Sequence, residues 1–123
     1  TFAFAKSVVM LPENLYYYRL GAGKTGRFAA NDQRLYVHFD IFAYLDQSIG
    51  RTGNQQLIDY YQMCKLQTHR YALEKIQDKY KKEYLDRARK DLSALMNEQR
   101  TYTMTCILLG NEVAEDFRTI MQE

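Results

Sequence analysis

The chain contains a single proline, Pro12, and none in the sequence that follows it. Proline lacks a backbone donor and clashes with the preceding turn of a helix, so its absence after position 12 leaves long helices unobstructed. The glycines sharpen the division. Gly21, Gly23 and Gly26 cluster before residue 30, and only Gly50, Gly53 and Gly110 come after it. A composition boundary therefore falls near residue 30, with strand and loop character before it and helical character beyond. At 123 residues the chain is long enough for one modest core.

Beyond the boundary, Asn31 and Asp32 supply an N-cap. Leu35, Phe39, Phe42, Leu45 and Ile49 then recur at helical spacing and predict one buried face. Gly50 and Gly53 end that helix, and Asn54 caps the next, whose apolar stripe reads Leu57, Tyr61, Cys64, Thr68 and Ala72. Leu73, Ile76 and Tyr80 carry the apolar surface onward. A third helical segment holds Tyr84, Leu85, Ala88, Leu92, Leu95 and Met96. Residues 101–109 alternate Thr with larger side chains as a strand does, but Ile107, Leu108 and Leu109 break the alternation, so a helix is expected there. Val113, Phe117, Ile120 and Met121 predict a short last helix after Gly110 and Asn111.

Before the boundary, residues 1–5 read as the end of a helix. Residues 6–11 are short, apolar and β-branched and predict a strand. Pro12 biases Leu11 toward extended backbone, and a turn follows. Residues 15–20, rich in Tyr, predict a second strand, and residues 21–26 a loop. The expected fold is mainly α: a short N-terminal β-hairpin or strand pair, then a bundle of three to four helices. The expected division is 1–30 and 31–123.

Cys64 and Cys106 sit among apolar residues without a Cys-x-x-Cys pair, which predicts free, partly buried thiols in a reducing compartment. A net charge of +2 argues against a nucleic-acid partner. Charge is uneven: Lys75, Lys79, Lys81, Lys82, Arg87, Arg89 and Lys90 form a basic run interrupted by Glu74, Asp78, Glu83 and Asp86. The interspersed acids predict a solvated, ion-paired face, with contact to an anionic membrane surface as the second reading. His38 reads as an ordinary surface or half-buried residue rather than a ligand. Cys64 and His69 are badly spaced to share a metal. Tyr60 and Tyr61 read as core, with a sugar-stacking platform as the alternative.

Gly21-Ala22-Gly23-Lys24-Thr25 invites a phosphate-loop reading. That loop needs its first glycine at position 18, where Tyr18 stands, and no helix follows at once to face a phosphate. The reading fails.

Leu11-Pro12-Glu13-Asn14-Leu15-Tyr16-Tyr17-Tyr18-Arg19-Leu20-Gly21 resembles the end of the catalytic domain in family 2 glycosyltransferases, where a short apolar strand leads to a Pro-Glu-x-Leu-Tyr-Tyr-Tyr-Arg segment. The resemblance covers residues 2–28. It implies that 1–30 are the terminal strands and loop of such a domain and 31–123 a helical C-terminal extension. It implies transfer of a sugar from a nucleotide-diphosphate donor to a polysaccharide, lipid-linked or cell-envelope acceptor. Arg19, Lys24 and Arg27 are the candidate residues for the donor diphosphate. The resemblance also implies a divalent metal, Mg or Mn, held by an Asp-x-Asp motif, which this chain lacks; Glu115-Asp116 lies on the wrong side of the segment. Leu20 or Gly21 stands where many relatives carry a His. No catalytic residue and no metal ligand is therefore assigned in this chain. The chain begins at Thr1 rather than Met, and a piece of a longer protein is expected, catalytically incomplete alone. The expected partners are an upstream catalytic domain, a nucleotide sugar and a second copy in a homodimer. The expected location is the cytoplasm, at the inner face of the membrane. The alternative is a non-enzymatic helical interaction or oligomerisation domain.

Overall fold

Three of the helical starts lie where a side chain takes over an orphan backbone donor. The computed structural model describes residues 4–17, 30–95 and 97–122. Asp32 accepts from the Arg34 amide at 3.0 Å and opens a single-turn 3-10 helix, Gln33–Tyr36, which runs straight into α1, Val37–Arg51. Gly53, at φ +60°, turns the chain. Asn54 then accepts from the Leu57 amide at 3.2 Å and starts α2, Gln55–Lys75. Ile76 and Gln77 are extended and separate α2 from α3, Asp78–Ser93. Asn97 caps α4, Glu98–Leu109, by accepting from Arg100 at 3.1 Å. Gly110, at φ +95°, leads into α5, Asn111–Gln122.

The helices form the bundle expected for 31–123. α2 packs against α1, α3 and α4, the last two helices make a short hairpin, and α5 rests on α3. The Gln77 amide donates to the Asn31 carbonyl at 2.9 Å and its side chain to Asn31 Oδ1 at 3.1 Å, which pins the start of the bundle to the α2–α3 turn. Leu35, Phe39, Phe42 and Ile49 are buried as their spacing predicts. Phe39 packs with Ala72, Tyr84 and Ala88, Phe42 with Tyr61, and Leu66 with Leu92, Phe117 and Ile120. Residues 101–109 are helical throughout.

Two expectations need correction. The strand expected at residues 6–11 is absent, and no strand occurs among the described residues. β-branched residues favour a strand only when a neighbouring strand satisfies their backbone, and every described residue from 4 to 17 is exposed. Residues 15–17 of the second expected strand are not a strand either, and its remainder, 18–20, lies outside the described residues, as does the loop. The stripe expected on α2 holds only in part. Tyr61 and Ala72 are buried as expected, but Cys64 is exposed, and Gln62, Lys65, Leu66 and His69 extend the buried face.

Candidate functional site

The donor-diphosphate candidates Arg19, Lys24 and Arg27 lie outside the described residues. What the structure does assemble is a polar cluster at the centre of the bundle. Gln62, Lys65, Leu66, His69 and Ala72 recur at intervals of three and four, so a single face of α2 delivers both an ammonium and an imidazole to the interior. Lys65 and His69 are fully buried.

The Lys65 ammonium donates to the Asp91 carbonyl at 2.9 Å and forms ion pairs with Asp46 Oδ1 at 2.6 Å and Asp91 Oδ1 at 3.2 Å. It also stands 5.2 Å from the centre of the Tyr61 ring and 5.7 Å from that of Phe42. Tyr61 donates to Asp46 at 2.6 Å, and burial, then the Asp46 carboxylate, push its phenol far above the ordinary tyrosine range.

His69 is sandwiched. Its ring stacks on Phe39 at 5.3 Å and meets Phe42 edge-on at 5.4 Å. Nε2 lies 2.5 Å from Asp91 Oδ2, and Nδ1 lies 2.8 Å from the Tyr84 hydroxyl. With Nε2–H donating to the carboxylate, Nδ1 accepts the Tyr84 proton, and the Tyr84 oxygen accepts from His38 Nδ1–H at 3.3 Å. Burial pushes the Tyr84 phenol well above its ordinary range. α1 supplies His38 and Asp46, α2 supplies Tyr61, Lys65 and His69, and α3 supplies Tyr84 and Asp91, so the cluster cross-links three helices.

The His38 end of this chain of hydrogen bonds reaches an open surface. His38 lines a groove of about 460 Å³ between α1 and α2, with Ile41, Leu45, Cys64, Thr68 and Tyr71 among its walls. A second groove of about 440 Å³ separates α2 from α5, and its floor carries the Arg70–Asp116 ion pair at 2.6 Å. Neither groove touches Lys65 or His69. The cluster therefore holds three helices together, and His38 is its member that lines a groove.

Two further polar contacts fix the outer helices. Arg100 of α4 grips Asp59 of α2 with hydrogen bonds of 2.9 and 2.6 Å, and holds that carboxyl below its usual range. Tyr102 donates to Glu115 at 2.6 Å across the α4–α5 hairpin, and that carboxylate pushes the phenol up to about 12. The inner part of the basic run turns out to be structural. Arg87 lies 4.5 Å over the Phe39 ring, and Arg89 donates to the Ile120 carbonyl at 2.6 Å near the end of α5.

Both cysteines are free, Cys64 exposed and Cys106 half-buried. Tyr61 is core as expected, and Tyr60 is exposed. Among the described residues no group of three or more His, Cys, Asp or Glu could hold a metal ion, and no helix is long and apolar enough to cross a membrane. No protein-family model, curated protein or solved structure matches the chain.

Proposed function

We propose that the chain is the C-terminal part of a family 2 glycosyltransferase, and that its helical bundle is a rigid extension docked beside the catalytic domain. The observation that carries this reading is the run from Leu11 to Gly21, with Pro-Glu ahead of three tyrosines and an arginine. The surroundings of that run support it. Val9 is 85%, Met10 90% and Tyr17 89% exposed, so an apolar, strand-prone segment lies outside the bundle core. Such a segment is suited to completing the edge of a sheet supplied by other residues.

In this reading Arg19, Lys24 and Arg27 face the leaving nucleoside diphosphate. Sugar transfer builds negative charge on that group, and a planar guanidinium can bind two phosphate oxygens at once. The divalent metal that such enzymes use would neutralise the same charge. Among the described residues no group of three or more His, Cys, Asp or Glu could hold it, and in this reading its ligands would come from the catalytic domain.

The test is donor binding and turnover by the parent protein with nucleoside-diphosphate sugars. Arg19→Ala is expected to lower turnover on the order of a hundredfold. Unchanged donor affinity and turnover would sink the reading. The alternative, a non-enzymatic interaction domain, draws on the buried polar cluster, whose Lys65 and His69 join three helices; it predicts no nucleotide-sugar binding by the parent.

A further inference from the structure

The inner face of α1 is fixed by Phe39, Phe42 and Ile49, which are buried in the core. Its outer face is presented on a rigid element and carries apolar groups. Val37 is 49%, Ile41 48% and Tyr44 73% exposed. Val37, Ile41, Tyr44, Ser48 and Arg51 follow one another at alternating steps of four and three, the spacing of a seam between two helices. Exposed Asp40 flanks one end of this stripe and exposed Arg51 closes the other. Neither forms an ion pair among the described residues.

The arrangement is complementary to itself in one direction only. Set antiparallel, with Tyr44 level with Ser48 of a second copy, the stripe brings Ile41 level with the second copy's Arg51. That guanidinium then reaches Asp40 one residue away, and twofold symmetry makes the same pair twice. The two Tyr44 rings straddle the axis. Parallel pairing would instead set Asp40 against Asp40 and Arg51 against Arg51, which repel. We infer that the outer face of α1 is a docking surface for α1 of a second copy of this chain, in antiparallel register, sealed at each end by an Asp40–Arg51 ion pair.

Sedimentation equilibrium over a micromolar concentration series tests this. The mass should rise from one chain toward two as concentration increases, and Ile41→Asp should hold it at one. Asp40→Arg and Arg51→Asp should each weaken the dimer roughly tenfold or more, because each creates two like-charge contacts. The double variant Asp40→Arg with Arg51→Asp should restore it to within about threefold of the original. These side chains are exposed, so urea unfolding of every variant should match the parent chain and exclude misfolding as the cause. A chain that stays monomeric at all concentrations overturns the proposal. So does a dimer indifferent to the single reversals, or a double variant as weak as either single one.

Discussion

Lys65 places its ammonium inside the protein, hydrogen-bonded to the Asp91 carbonyl and ion-paired with the Asp46 and Asp91 carboxylates. Replacing it with Met keeps the volume but leaves Asp46 and Asp91 facing each other without a cation. Breaking a buried ion pair in this way costs about 3–5 kcal/mol, and Lys65→Met should lose that much in urea unfolding. A loss under 1 kcal/mol would mean that the two carboxylates reach water or take up protons without strain. Asp59 makes a gentler case, because it is roofed by Arg100 and Gln55 at the surface of the bundle, and the Arg100 side chain is 47% exposed. Its carboxyl is held below the ordinary range, chiefly by the hydrogen bonds from Arg100. A depressed folded pKa stabilises the fold above the unfolded value of about 3.9, and that contribution disappears as pH falls through the folded value. Asp59→Asn should therefore cost roughly 0.5–1 kcal/mol at pH 7, after solvent screening, and less at pH 2. A gap between the two proteins that is the same at both pH values would reject the assignment. Neither site was legible in the sequence. A lysine and a histidine on a helix read as solvated by default, and their acceptors come from Asp46 and Asp91, many residues away.

At the scale of elements, two glycines make opposite predictions. Gly50 lies in the last turn of α1, and a Cβ built there meets only Leu95 Cδ2 at 3.4 Å, an ordinary contact. Gly50→Ala should stabilise the protein by roughly 0.5–1 kcal/mol, because alanine loses less backbone freedom in a helix. Gly110 has open space around it but sits at φ +95° and ψ 167°, a region that side chains penalise. Gly110→Ala should cost about 1–3 kcal/mol and loosen the α4–α5 hairpin. Thermal melts of the two variants should move in opposite directions; movement in the same direction would show that backbone conformation is not what separates them. The caps were readable in advance, since Asp32 and Asn54 each precede a periodic run and each accepts from the first turn. α1 was readable for the same reason, having one buried face. The breadth of the buried face of α2 was not. Neighbours α1, α3 and α4 cover it on several sides, so its burial spreads over a wide arc and takes in polar residues. A single apolar stripe, the signal that periodicity detects, describes a helix with one neighbour side better than a central one.

For the whole molecule, the question is what the described N-terminal residues contribute to the bundle. Every residue from 4 to 17 is exposed, including Val8, Val9, Met10 and Leu11. Burial of such side chains is worth about 1.5–3 kcal/mol each, and exposed ones contribute almost none of it. The bundle instead begins its own bonding at Asn31, held by Gln77, and its core at Ala30 and Leu35. Removing residues 1–17 should therefore leave the cooperative helical melt within about 0.5 kcal/mol of the intact chain. The same deletion should improve solubility, because it removes a contiguous apolar patch. If the deletion instead lowers stability by several kcal/mol, the segment packs on the bundle and is not available to complete another sheet. That result would remove the structural support for the glycosyltransferase reading while leaving the α1 docking surface untouched, since the latter depends only on α1 and the core behind it.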